Sequence, residues 1–136
     1  MSEAIEKTQR QYKNIHITQI IRYRMPLSAF VSILHRVSGA LLFLLLPFIL
    51  YLFEKSLFSE IAFEHMKGIA SHWFIKLVIL ALSWAYLHHF CAGVRHLLMD
   101  AHIGLSKDGA RRTSVAVFAI SLPLTFIVAL KLFGAF

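Results

Sequence analysis

Residues 37 to 53 read VSGALLFLLLPFILYLF, a run with no aspartate, glutamate, lysine or arginine. Two more such runs follow, Leu77 to Val94 and Thr113 to Leu130. Each comes close to the roughly 20 apolar residues that carry a helix across the hydrocarbon core of a bilayer. The first extends back through Ser28 across His35 and Arg36, and the second back to Gly68 across Lys76. Three runs of this kind in 136 residues leave too little polar surface to cover a water-soluble core. In lipid the backbone must satisfy its own hydrogen bonds, and runs this long do so as helices, since barrel strands are roughly ten residues and alternate in polarity. The sequence therefore predicts an all-α membrane protein with three transmembrane helices, at about 28–53, 68–99 and 111–133. They form a membrane domain over 26–136, preceded by a segment 1–25. Pro47 and Pro123 fall inside helices, where a membrane span tolerates proline with a kink.

Working outward from the runs, the charges between them set the orientation. Lys7, Arg10, Lys13, Arg22, Arg24 and Arg36 precede or open the first helix, and Arg95, Lys107, Arg111 and Arg112 are assigned to the connection between the second and third. The opposite side has Lys55, Lys67, Lys76 and Lys131, together with Glu54, Glu60 and Glu64. By the positive-inside rule the N-terminus and the second connection are cytoplasmic. The net charge of +7 then belongs to the membrane surface and its lipids and calls for no nucleic acid, while a basic surface of this kind can also receive a soluble partner. The first 25 residues are polar and contain Glu3 and Glu6, so neither a secretory signal nor a transit peptide is expected. The bacterial inner membrane is the expected location, with the mitochondrial inner membrane as runner-up. Cys91 is the only cysteine, which excludes an internal disulfide or thiolate metal site and leaves packing as its role.

Polar residues at membrane depth are costly, so they mark candidate sites. In the second helix His89, Gly93, His96 and Asp100 recur at spacings of four, three and four, one narrow helical face. A neutral imidazole can bind haem iron, and a glycine one turn away lets a flat macrocycle approach the backbone. His96, about 10 Å further along by helical rise, can meet a propionate. The bland alternative is that His89 only bonds a neighbouring helix. His88 points about 100° away from His89, so the two cannot address one iron, and one of them is packing or lipid-facing. The first and third helices are expected to offer no histidine at the depth of His89, because His35 lies near the cytoplasmic end. A second imidazole ligand would then come from another chain.

The second cluster is Ser32, His35, Arg36 and Gly39, again one helical face. A hydroxyl and a guanidinium one turn apart offer a quinone carbonyl two donors, and Arg36 or His35 can equally pair with a propionate. Snorkelling of Arg36 to the headgroups is the alternative.

The run from Ser32 to Gly39, SILHRVSG, together with the run from His89 to Asp100, HFCAGVRHLLMD, resembles the two signatures of the cytochrome b subunit of succinate dehydrogenase. The order of the motifs and the three-helix length extend the resemblance over nearly the whole chain from about Arg22. The resemblance implies a haem b shared with a second membrane anchor subunit that supplies the other axial ligand. It makes His89 the axial ligand of the haem iron, puts His35, Arg36 and His96 beside the propionates, and brings Ser32 and Arg36 to the headgroup of ubiquinone or another quinone. It also implies a flavoprotein and an iron-sulfur subunit docked on the cytoplasmic side. No catalytic residue is expected in this chain, which has no flavin or dinucleotide motif and no cluster-binding cysteines. Asp100 matches the family's acidic position. The anchor of a quinol:fumarate reductase is the near alternative, and a haem-free subunit of a small transporter the distant one.

Overall fold

The computed structural model describes residues 16–134, all helix and turn, in the order α1 (Ile17–Arg22), α2 (Leu27–Phe58), α3 (Glu60–Ala70), α4 (Trp73–Asp100) and α5 (Lys107–Leu132). Three of these, α2, α4 and α5, are long and apolar enough to cross a membrane, as the sequence predicts. Of the expected segment 1–25, the first fifteen residues lie outside the described part, and α1 belongs to the remainder.

Local chemistry sets the helix ends. Pro26, extended at φ −68° and ψ 155°, precedes α2 and its carbonyl accepts from the Ala29 N–H at 2.9 Å. A proline biases the residue before it away from helix, which separates α1 from α2. α2 runs past the apolar stretch to Phe58 and stops where Ser59 turns extended; the Ser59 hydroxyl then caps α3 by accepting from the Ala62 N–H at 3.1 Å. Glu60 in the first turn suits the positive end of the helix dipole.

One boundary differs from expectation. The helix expected to begin near residue 68 is broken at Ser71 and His72, so that α3 and α4 are separate. The Ser71 hydroxyl donates to the Gly68 carbonyl at 2.6 Å and its N–H to the Lys67 carbonyl at 3.0 Å, after which His72 is extended. These local bonds close α3 inside the run that the sequence extends back to Gly68. Arg95, assigned from the sequence to a connection, lies inside α4. The actual connection is short, with His102 at φ 62° and Gly104 at φ 77°, and Ser106 caps α5 by accepting from Gly109 N–H at 3.0 Å. A side chain on Gly109 would start 2.8 Å from the Gly104 carbonyl oxygen, so the turn folds this tightly onto α5 only because both positions are glycine.

Val31, Ala92 and Val117, one from each long helix, form the centre of the packing, and Cys91 and Phe118 lean on it. α4 turns Ala85, His88, Ala92 and Arg95 inward, and α5 answers with Ser114, Val117 and Ser121. Elsewhere the apolar surface is uncovered; no more than 17 % of the most apolar window of any span is buried within the chain. In a soluble protein that exposure would mean aggregation, whereas a membrane span meets lipid there.

Candidate functional site

Two seams run along α4, one against α2 and one against α5. In the first, the antiparallel helices bring the two sequence clusters face to face. A side chain on Gly39 would start 2.7 Å from His89 Cε1, and one on Gly93 would start 3.6 Å from His35 Nε2. One turn down α2 thus corresponds to one turn up α4, which carries Ser32 toward the level of His96.

Three imidazoles gather in this seam. The His35 ring stacks on His89 with centroids 4.2 Å apart and planes 10° apart, and its centroid lies 4.8 Å from that of His96, tilted by 49°. His35 is therefore not out of reach of His89's depth, contrary to the expectation from the sequence. Rise per residue along α2 alone misjudges it, because the ring spans from the level of Gly93 to His89.

His89 Nδ1 lies 3.0 Å from the His35 carbonyl oxygen and 3.3 Å from Ser38 Oγ. The Ser38 hydroxyl itself donates to the same carbonyl at 3.0 Å. A carbonyl oxygen only accepts, so Nδ1 carries the proton and donates it, and the lone pair resides on Nε2. Nε2 makes no hydrogen bond among the described residues, and it is not among the atoms sealed inside the chain. A neutral imidazole with Nδ1–H anchored and Nε2 free is the form that ligates a metal.

The remaining predicted residues are arranged differently. Gly93 faces the His35 ring, Arg36 is exposed, Ser32 is partly buried and Asp100 is exposed at the end of α4. The side chains of Ser32, Arg36 and Asp100 make no hydrogen bond or ion pair among the described residues, which leaves their donors and acceptors for something outside the chain. Ser38 and Gly39 are the residues whose roles the sequence reading missed. Ser38 lies outside the face of α2 that carries Ser32, His35, Arg36 and Gly39, and helical spacing alone gives Gly39 no role. The signal for both was there, since a hydroxyl and a glycine adjacent to each other one turn from His35 are unusual in an otherwise aliphatic run.

The second seam, between α4 and α5, is closed. His88 is 1 % exposed, between Trp84 and Phe118 at ring distances of 5.5 and 5.3 Å. Neither of its ring nitrogens has a hydrogen-bond partner among the described residues. Of the two adjacent histidines, His88 is thus the packing one. Arg95 is buried in the same seam and its Nε donates to Thr113 Oγ1 at 3.1 Å, so this charge does not belong to the solvated basic surface.

Three helices of membrane length, largely uncovered and with a polar seam of imidazoles between two of them, define a multi-pass α-helical membrane protein. More particularly, the chain belongs to the succinate dehydrogenase/fumarate reductase transmembrane subunit family, whose model matches residues 10–128. It is similar to the succinate dehydrogenase cytochrome b556 subunit of Coxiella burnetii, 36 % identical over 75 % of this chain and 82 % of the other. The subunit of the same name from Paracoccus denitrificans is 31 % identical over 82 % of this chain and 85 % of the other. That of Rickettsia prowazekii is 29 % identical over 78 % and 82 %. The family is the one the two motifs resemble, and with bacterial relatives throughout these comparisons the chain is a multi-pass protein of the bacterial inner membrane, working as a subunit of a larger complex.

Proposed function

We propose that this chain is the cytochrome b anchor of a succinate:quinone oxidoreductase, holding a haem b with a second anchor subunit and contributing to the quinone-reduction site. The observation that carries the reading is the state of His89, with Nδ1–H donated to the His35 carbonyl and Nε2 left bearing a free lone pair. His89 would hold the haem iron through Nε2. His35 and His96, gathered against it, and Arg36 would receive the propionates. Gly93 leaves room for the His35 ring between them.

The haem, when bound, supplies a one-electron redox centre. The His35 ring is stacked face to face on His89 with centroids 4.2 Å apart, too close for the two imidazoles to hold one iron between them, so a second imidazole would come from the partner anchor. Ser32 and Arg36, whose donors find no partner among the described residues, would hold the carbonyls of ubiquinone or a related quinone. Oxidation of succinate belongs to the flavoprotein and iron-sulfur partners. The relatives are named as succinate dehydrogenases, which favours succinate oxidation over fumarate reduction as the physiological direction.

The test begins with purification from detergent extract. A flavoprotein, an iron-sulfur protein and a second small anchor should accompany the chain, and the reduced complex should give a b-type spectrum. Recovery of the chain alone, without haem, would sink the reading. Ser32→Ala tests the quinone site separately. It removes one neutral donor, worth about 0.5–1.5 kcal/mol, and should raise the quinone KM by about two- to tenfold. Electron transfer from succinate to an artificial acceptor upstream of the quinone should be unchanged.

A further inference from the structure

His89 is held from three directions, and we propose that Ser38, the His35 carbonyl and Gly39 form a seat that fixes the tautomer and ring plane of this histidine; the inference rests on His89 being the haem ligand. The three oxygen and nitrogen atoms form a closed triangle, with Ser38 Oγ to the His35 carbonyl at 3.0 Å, that carbonyl to His89 Nδ1 at 3.0 Å, and Nδ1 to Ser38 Oγ at 3.3 Å. Two protons serve its three edges. The hydroxyl proton goes to the carbonyl, and the Nδ1 proton is shared between the carbonyl and the hydroxyl oxygen.

This arrangement excludes the tautomer with the proton on Nε2, since Nδ1 would then present a lone pair to a carbonyl lone pair at 3.0 Å. It also makes the ring a stronger ligand, because an N–H given to two acceptors leaves more negative charge on the opposite nitrogen. Gly39 supplies the other constraint. The ring edge lies where a side chain would begin, 2.7 Å from Cε1, so the imidazole is backed by bare helix and cannot take this plane against any residue larger than glycine. Ser38 is 5 % exposed, and Val31, two turns back on the same face of α2, is fully buried, so the hydroxyl side of the seat is packed within the protein. Ser38 and Gly39 are positioning residues; neither is proposed to touch the cofactor.

The experiment uses the assembled complex. Ser38→Ala keeps the carbonyl and hence the tautomer but removes one acceptor and one source of alignment. It should weaken haem retention by about 10- to 100-fold, the usual effect of losing an outer partner of a metal-bound histidine, and raise the haem midpoint potential because a less basic ligand favours ferric iron less. Ser38→Thr retains the hydroxyl and should restore both readings. Gly39→Ala should displace the ring and abolish the six-coordinate low-spin spectrum. Should Gly39→Ala fail to assemble, the Ser38→Ala and Ser38→Thr pair decides alone. A Ser38→Ala complex with wild-type haem retention, potential and spectrum would overturn the seat. A wild-type complex lacking haem would overturn the reading of His89 itself, a distinguishable failure.

Discussion

His88 and His89 are consecutive residues on α4, yet one is sealed in the α4–α5 seam and the other opens toward the outside from the α2–α4 seam. The α4–α5 seam is closed to the outside, Ala92, Ser114 and Ser121 being 0 % exposed. The α2–α4 seam is lined with imidazoles, and His35, His89 and His96 all remain partly exposed. A rotation of 100° about one helix axis therefore separates a histidine that holds the chain together from one that a cofactor or partner chain can reach. Internal polarity and external reach divide the bundle, with α4 as the shared wall.

The largest expected effect lies on the open side. Arg36 is exposed and unpaired among the described residues, so Arg36→Leu should leave thermal stability of the complex within about 0.5 kcal/mol of wild type. Loss of a charge-assisted donor, worth about 1.5–3 kcal/mol, should nevertheless lower quinone reductase activity by roughly 10- to 150-fold. A fall in stability comparable to the fall in activity would show that Arg36 is structural, and the contrast between the seams would blur.

The closed side should respond in the reverse sense. Thr113→Val keeps the shape of α5 but leaves Arg95 Nε without its acceptor. Unfolding monitored by heat should then report a loss of about 1–2 kcal/mol, a figure set by the modest worth of polar contacts between membrane helices and the greater worth of those involving charge. Haem spectrum and quinone kinetics should stay as in wild type. Changed kinetics with unchanged stability would place Arg95 in the functional site after all.

A smaller effect sharpens the same contrast. Ser121 is fully buried and its hydroxyl has no partner among the described residues, so Ser121→Ala removes an unsatisfied polar atom. Stability should be unchanged or raised by up to about 1 kcal/mol. A clear loss measured in the same thermal assay would mean that the hydroxyl is satisfied in the assembled protein.

Much of this division was legible in the sequence, but not all of it for the same reason. The three spans follow from charge-free runs of the right length, and the two clusters from helical spacing, because both depend on neighbours within a single helix. Which of His88 and His89 faces inward depends on where α5 packs, and no periodicity of α4 reports that. Arg95 reads in the sequence as one of the charges of the second connection, because it follows the end of a charge-free run; its partner Thr113 lies eighteen positions on, across the turn between α4 and α5. The reach of His35 to His89 depends on the register of two antiparallel helices, a relation between distant parts of the chain. Ser71 closes α3 with two local hydrogen bonds inside a stretch that hydropathy treats as continuous.

The central claim is that His89, and not its neighbour, holds the haem, and the optical spectrum of the reduced complex tests it most directly when His89→Leu and His88→Leu are compared at equal assembly. The account predicts that His89→Leu removes the bis-histidine b-type bands while His88→Leu, which alters only the packing against Trp84 and Phe118, leaves them in place. Bands that survive in His89→Leu and vanish in His88→Leu would contradict it.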